Sequence, residues 1–65
     1  MTISQRIFLV MEEKGITQKE LSEATGIGQS TISDWKRKGT NPSSEKIIPI
    51  AEALGESVEF ILGGL

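Results

Sequence analysis

The sequence predicts an all-α protein built from five short helices. Glycines divide its 65 residues into helix-sized segments. Within these segments apolar residues recur three and four positions apart, which is the period of an amphipathic helix, and no segment alternates as a strand does. Capping signals stand at the start of several segments. A chain of this length forms one small domain with a modest core, so we expect a single domain over residues 1–65.

Helix 1 is predicted to run from Ile3 to Lys14. A Thr-x-x-Gln capping box begins at Thr2, and Gly15 suits the left-handed conformation that commonly ends a helix. The inward face is expected to carry four residues, with Met11 at its edge: Ile3, Ile7, Val10 and Lys14.

Helices 2 and 3 are joined by a short turn that contains glycine. Helix 2 opens with the capping box Thr-Gln-Lys-Glu at residues 17–20 and ends near Gly26. Helix 3 is expected from Gln29 to Arg37, with Gly28 as a weak N-cap. A capped helix, a three-residue turn and a second helix form the layout of a helix-turn-helix, here over about residues 17–37.

Helix 4 is predicted from Ser44 to Leu54, and Ser57 caps a short helix 5 that glycines 63 and 64 close. Pro49 lies inside helix 4, where it removes a backbone hydrogen bond, so we expect a kink or a later start. The expected inward residues are Ile47, Ile50, Ala51 and Leu54 of helix 4, and Val58, Ile61 and Leu62 of helix 5. Phe8, Leu9 and Phe60 are expected to point away from the inward faces.

Composition argues against an enzyme. The chain has no cysteine and no histidine, which excludes disulfides, zinc sites with nitrogen or sulfur ligands and histidine-based catalysis. The carboxylates of helices 1 and 2 belong to solvated surfaces. The longest apolar run, residues 7–11, is far too short to span a bilayer, and no signal peptide is visible. We therefore expect a cytoplasmic protein without cofactor, metal, membrane or small-molecule partner.

Charge is unevenly distributed along the chain. Residues 1–44 contain six cations and five anions, a net charge of +1, whereas residues 45–65 contain one cation and four anions, a net charge of −3. The total of −2 counts mildly against a nucleic-acid binder, which is usually basic. Because charges beyond about 8 Å are screened, a local basic patch can still act, and Lys36-Arg37-Lys38 is such a patch.

Helix 3 presents two different faces on a helical wheel. Ile32 and Trp35 share one face, and we expect Trp35 in the core rather than stacked on a base. The opposite face carries Ser30, Ser33 and Arg37, flanked by Gln29 and Asp34. Amide, hydroxyl, carboxylate and guanidinium groups can read base edges in a major groove. The wheel alone is also compatible with an amphipathic helix whose polar face is merely solvated, which is the usual arrangement.

The sequence GITQKELSEATGIGQSTISDWKRKGTNP, residues 15–42, resembles the Cro/repressor-type (XRE-like) helix-turn-helix family of phage and bacterial regulators. The match extends through I-x-x-I-A-x-A-L-G-x-S at 47–57, and its ordered spacing carries the resemblance. It implies a compact five-helix, lambda-repressor-like domain with helix 3 in the major groove and helix 2 across the backbone.

The resemblance also implies roles for individual residues. Base reading falls to Gln29, Ser30, Ser33 and Asp34. Phosphate contacts fall to Thr17, Gln18, Gly28, Arg37, Lys38, Thr40 and Asn41. Lys19, on the exposed face of helix 2, is a further candidate for a phosphate contact. Asp34, which repels phosphates, is expected to discriminate between sequences, either by accepting a hydrogen bond from a cytosine amino group or by excluding wrong sites. The family often dimerises through its last helix, which makes Phe60 a candidate for a dimer contact.

Two departures from the family pattern are visible. Many members pair an arginine late in helix 1 with a glutamate after the tryptophan position, where this chain has Met11 and Lys36. That ion pair cannot form, and apolar bulk replaces it. The serine common at the cap of helix 3 is Gly28, which removes one side-chain phosphate contact.

Two functions from different classes remain open. The first is a sequence-specific, double-stranded DNA-binding transcriptional regulator, expected to be a repressor that binds a near-palindromic operator as a homodimer. The second is a protein-interaction module of the same fold, such as an antitoxin or adaptor, that would use Phe8, Leu9, Phe60 and the acidic C-terminal third. The basic run and the polar face of helix 3 favour DNA.

Overall fold

Five helices and no strand make up the part of the chain that the computed structural model describes, residues 1–63. They are α1 (Ile3–Lys14), α2 (Gln18–Thr25), α3 (Gln29–Lys38), α4 (Ser44–Leu54) and α5 (Val58–Gly63). The all-α prediction is confirmed, and α3 extends one residue beyond its predicted end. The predicted closing residue at position 64 lies outside the described residues. None of the described helices is both long and apolar enough to cross a bilayer.

Local capping fixes where the helices begin and end. Both predicted capping boxes are present, at Thr2 and Thr17, with side chain and backbone bonded reciprocally. Gly26 and Gly39 end α2 and α3 at φ values of 76° and 70°, which residues with a Cβ adopt only with strain. These caps set the lengths of the two helices that carry the candidate site.

The core gathers one face of every helix. Helix α2 packs on α3 and α4, α1 packs on α3 and α5, and α4 packs on α5. Leu21 and Ile32, fully buried, join α2 and α3, and each contributes roughly 1.5–3 kcal/mol by leaving water. The buried apolar residues are Ile7, Val10, Met11, Leu21, Ile27, Ile32, Trp35, Ile47, Ile50, Ala51, Leu54 and Ile61.

Several predicted orientations are wrong at the helix surfaces. Leu62 was expected to face inward but is 51% exposed. Phe8 and Phe60 were expected to point away, yet both are half-buried and pack against the core. Met11 lies in the core rather than at the edge of the face. A helix of six residues, like α5, completes fewer than two turns, so its spacing alone barely defines a face.

Lys14 also differs from its expected inward position. Its side chain is 39% exposed, and its ammonium donates a hydrogen bond of 2.5 Å to the carbonyl of Leu54 at the end of α4. The same ammonium lies 3.2 Å from a carboxylate oxygen of Glu56. Lys14 therefore ties the end of α1 to the end of α4 instead of filling the core.

Pro49 lies within a continuous α4 that begins at Ser44, so the later start is wrong. The proline lacks the N–H that would bond to the carbonyl of Glu45. Two neighbours on the same helix, Ile47 and Ile50, pack their side chains in the core. Their packing offsets the lost hydrogen bond.

Candidate nucleic-acid interface

Helix α3 lies with one face in the core and the other at the surface, as the wheel predicts. Ile32 is 0% and Trp35 6% exposed, so the indole is not available to stack on a base. On the other face Gln29 and Ser30 are exposed, while Ser33 and Asp34 are partly exposed. Two buried side chains therefore fix the rotation of α3 and determine which polar groups face outward.

The turn between α2 and α3 is held by hydroxyl groups that sequence reasoning overlooked. The hydroxyl of Ser22 donates to the carbonyl of Ile27 at 2.6 Å. Thr25 donates its hydroxyl to the carbonyl of Leu21 at 2.7 Å and accepts from the N–H of Ile27 at 3.2 Å. Short-range bonds of Ser and Thr to the backbone are typical of turns, so their proximity to Gly26 was the available signal. These bonds hold the turn that joins the two helices.

The start of α3 exposes backbone donors. Gly28 is the N-cap and provides no side-chain hydrogen bond to the helix. The first N–H groups of a helix have no partner within it, and together with the helix dipole they favour an anion. A Cβ placed on Gly28 would meet only the hydroxyl oxygen of Thr31, at 3.8 Å. The site therefore has room for a side chain.

The start of α2 is a second set of donors, with one carboxylate beside it. Thr17 accepts from the N–H of Glu20 at 3.0 Å, and Glu20 accepts from the N–H of Thr17 at 2.8 Å. The hydrogen bond from the Thr17 N–H, and after it the Thr17 side chain, hold the pKa of the Glu20 carboxyl below its usual value of 4.5. The N–H of Thr17 is thus occupied, whereas the next N–H groups, of Gln18 and Lys19, begin the helix.

Gln18 and Ser33 connect the two helices of the candidate site. The hydroxyl of Ser33 donates to Oε1 of Gln18 at 2.6 Å. This bond occupies the oxygen end of the Gln18 amide, so the amide nitrogen remains to donate outward. A predicted phosphate contact and a predicted base reader are therefore brought together. The oxygen of Ser33 can still accept a hydrogen bond.

Asp34 lies beside two cations of its own helix. Its Oδ1 accepts a hydrogen bond from Nη2 of Arg37, one turn later. Its Oδ2 lies 4.0 Å from the ammonium of Lys38. The side chains of Arg37 and Lys38 remain 69% and 59% exposed. The carboxylate is thus engaged with basic groups that were predicted to contact phosphates.

The loop after α3 is anchored to α1 through Ser4, which sequence reasoning also missed. The N–H of Ser4 donates to Oδ1 of Asn41 at 3.1 Å, and its hydroxyl donates to the carbonyl of Trp35 at 3.2 Å. Ser4 is 3% exposed. Thr40 and Asn41, predicted phosphate contacts, are exposed on this loop. No local spacing points to these contacts, because they join residues more than thirty positions apart.

The three consecutive cations at the end of α3 point in different directions. The ammonium of Lys36 lies over the ring of Phe8 of α1, 5.8 Å from its centroid, a cation–π distance. Lys36 therefore turns towards α1. Met11, which stands where many family members have an arginine, is buried in the core. Arg37 and Lys38 remain on the outer surface beside Asp34.

Known proteins resemble the chain over nearly all its length. The chain is 36% identical over 63 residues to the immunity repressor protein of Bacillus phage phi105, covering 97% of this chain and 44% of that protein. It is 25% identical over 63 residues to the HTH-type transcriptional regulator ImmR of Bacillus subtilis (strain 168), covering 97% of this chain and 50% of that protein. The chain thus spans about half the length of these curated relatives.

The fold is also similar to that of a solved structure. The crystal structure of the P22 c2 repressor protein, in complex with synthetic operator 9T in the presence of Tl⁺, superposes with a TM-score of 0.84 at 28% identity. The match covers 100% of this chain and 98% of that chain. A sequence profile described as "Helix-turn-helix" matches residues 7–61, which is most of the chain. The resemblance expected from residues 15–42 is confirmed, and the chain belongs to this helix-turn-helix family.

Proposed function

We propose that the chain is the DNA-binding part of a transcriptional repressor and that α3 enters the major groove of double-stranded DNA. The observation that carries this proposal is the outer face of α3. Gln29 and Ser30 are exposed there, on a helix whose rotation is fixed by Ile32 and Trp35. The P22 c2 repressor, whose fold superposes on this chain, is crystallised on a synthetic operator.

Base reading in this proposal belongs to the outer face of α3. Gln29 offers an amide that can pair with adenine through two hydrogen bonds, and Ser30 offers a hydroxyl that suits several bases. Ser33 offers an acceptor, since its proton is donated to Gln18. Asp34 acts on discrimination rather than on affinity, because a carboxylate repels phosphates.

Phosphate contacts flank this face on two sides. On one side lie two helix starts. The start of α2 offers Thr17, Gln18 and Lys19, and the start of α3 offers the N–H groups after Gly28. On the other side lies the end of α3 with its loop, namely Arg37, Lys38, Thr40 and Asn41. Contacts of this kind supply affinity and register, whereas base contacts supply sequence choice.

The size of one copy supports binding as a dimer. The described chain measures 28 Å along its longest axis, and successive major grooves on one side of DNA are about 34 Å apart. One copy is thus too short to reach two successive major grooves, which supports two copies on a near-palindromic operator, each reading one half-site. We propose α5 as the contact, through exposed Leu62 and the outer edge of half-buried Phe60. Such a repressor works in the cytoplasm by occupying its operator and needs no catalysis.

The protein-interaction alternative has a smaller basis. Of its three apolar residues, Phe8 and Phe60 pack against the core, and only Leu9 is exposed, at 43%. Phe8 is also covered by Lys36, and the ring of Phe60 lies 5.4 Å from the guanidinium carbon of Arg6. These rings are therefore parts of the fold more than parts of a free docking surface.

Titration of duplex DNA at two salt concentrations tests the proposal. Each phosphate neutralised releases counterions, so six to ten contacts predict a loss of roughly 10³–10⁵ in affinity between about 50 and 200 mM salt. Lys38→Ala should reduce the salt slope by about one. Lys14→Gln is the matched control and should leave the slope unchanged, because that ammonium is bonded to Leu54 and Glu56. A chain that binds no duplex at low salt contradicts the proposal.

A further inference from the structure

We propose that Arg37 reads a guanine in the operator and that Asp34 is the positioning residue that holds its guanidinium for this contact. This inference rests on the proposed function and deepens it. It moves Arg37 from the phosphate contacts to the base readers. It also gives Asp34 a role through Arg37 instead of a direct bond to cytosine.

The position of Arg37 on α3 supports base reading. With 3.6 residues per turn, Arg37 lies about one turn after Ser33 and two turns after Ser30, on the same line of the helix surface. That line runs opposite buried Ile32 and Trp35. Lys36 instead turns to the ring of Phe8. Of the three cations that end α3, Arg37 is therefore the one centred on the outward polar face.

The bond to Asp34 restricts where the guanidinium of Arg37 can go. An exposed arginine samples many conformations and can reach any nearby phosphate, which carries no sequence information. Here Nη2 donates to Oδ1 of Asp34, one turn back along α3. This bond holds the guanidinium beside Asp34 at the surface of the helix. The guanidinium has five N–H donors, so the remaining ones stay available after this bond. Two of them match O6 and N7 of guanine.

The charges of the cluster agree with selectivity rather than affinity. Asp34, Arg37 and Lys38 together carry +1, with Asp34 41% exposed between the two cations. The carboxylate reduces the pull of this region on phosphates in general. The carboxylate also repels the phosphates of any bound DNA. Only a sequence whose guanine bonds to Arg37 offsets this repulsion. Asp34 thus lowers binding to random sequence more than binding to the correct one.

Four variants and one modified base test the inference. The operator is first obtained by selection from random duplex DNA, and affinities are then measured by fluorescence anisotropy. At one guanine per half-site, replacement by another base should weaken the wild type by roughly 5- to 150-fold. Replacement of that guanine by 7-deazaguanine, which lacks the N7 acceptor, should weaken the wild type too. Arg37→Lys should lose this discrimination and keep its salt slope, because lysine preserves the charge but cannot bond bidentately.

The role of Asp34 is separated by a double-mutant comparison. Asp34→Ala should raise affinity for random duplex and lower discrimination at the same guanine. In an Arg37→Lys background, Asp34→Ala should leave base discrimination unchanged, since Asp34 acts through Arg37. Lys38→Ala is the control: it should keep the guanine preference and lose about one unit of salt slope. Thermal unfolding of each variant verifies that these exposed substitutions leave the fold intact.

Each outcome bears on a different statement. A wild type that binds no duplex overturns the proposed function and this inference with it. A wild type that selects a sequence while Arg37→Lys keeps the same base profile overturns the guanine contact alone. Retained discrimination in Asp34→Ala overturns the positioning role and leaves the guanine contact standing.

Discussion

The hydroxyl of Ser33 on α3 donates a 2.6 Å hydrogen bond to the side-chain oxygen of Gln18 at the start of α2. This bond crosses the helix-turn-helix and is partly buried. It occupies the side-chain oxygen of Gln18 and leaves the amide nitrogen available as a donor. The two helices of the candidate interface are thereby linked at their surfaces as well as through Leu21 and Ile32 in the core.

Removal of this bond should weaken DNA binding in a non-additive way. We expect each single variant to lower operator affinity. Ser33→Ala removes the bond that orients the Gln18 amide, and Gln18→Ala removes the amide donor itself. Ser33→Ala should lose less binding free energy in a Gln18→Ala background than in the wild type. The difference should be about 0.5–1.5 kcal/mol, the usual net value of one hydrogen bond. Affinities of the four variants for one duplex measure this coupling. Effects that add within about 0.3 kcal/mol would contradict it.

A serine at position 28 should improve both stability and DNA binding. Gly28→Ser adds a hydroxyl that can accept a hydrogen bond at the start of α3, a gain of a few tenths of a kcal/mol, and can donate to a phosphate. The space exists, because a Cβ there meets only Thr31, at 3.8 Å. Urea unfolding and duplex titration measure the two effects. Gly28→Ala is the control that adds the Cβ without the hydroxyl, and equal affinities of the two variants would refute the added contact.

Acid should weaken the capping box of α2. The pKa of Glu20 is lowered in the folded chain by hydrogen bonds from Thr17, so the folded state holds this proton less tightly than the unfolded state. The resulting stability is present above the usual pKa of 4.5 and is lost as pH falls through the lowered value.

Glu20→Gln is the matched variant for this pH effect. Its amide keeps the capping geometry and does not titrate. The difference in unfolding free energy between wild type and Glu20→Gln should therefore shrink as pH falls below about 4.5. Urea unfolding between pH 6 and about pH 3 measures it. A difference that stays constant over this range would show that the folded carboxyl is not stabilised by Thr17.

Substitution of Leu62 should affect dimerisation alone, whereas substitution of Phe60 should affect dimerisation and the stability of the fold. Leu62→Glu replaces a half-exposed leucine and should weaken dimerisation while leaving unfolding nearly unchanged, since exposed substitutions usually change stability by less than about 0.5 kcal/mol. Phe60→Ala should also destabilise the fold, by more than about 1 kcal/mol, because its ring packs against the core. Sedimentation equilibrium with and without operator DNA checks the first effect. Unchanged dimerisation in both variants would exclude α5 as the contact.

Most of the fold could be predicted from the sequence because its signals are local. Capping boxes at Thr2 and Thr17 and a serine at position 57 act within one turn, and the structure has all three. The polar and apolar faces of α3 also follow from periodicity, since Ile32 and Trp35 lie a turn apart. Long helices repeat this signal often enough to define a face.

The rest depends on contacts between distant parts of the chain. The bonds from Ser4 to Trp35 and Asn41, and from Ser33 to Gln18, have no signature in local spacing. Phe8 illustrates the same limit, since its half-buried position depends on how α1 and α3 pack. For the site, sequence could name the residue types on α3, but not which of them are bonded to each other.

Selection of bound sequences from a random duplex pool tests the central claim most directly. We expect enrichment of two inverted half-sites about one helical turn, or about 10 base pairs, apart. Gln29→Ala should lose preference at one base position, a change of roughly 1–3 kcal/mol, whereas Lys38→Ala should keep every preference and bind all sequences less tightly. A pool that stays random after selection by the wild type would contradict sequence reading by α3. A motif that Gln29→Ala leaves unaltered would contradict base reading by Gln29.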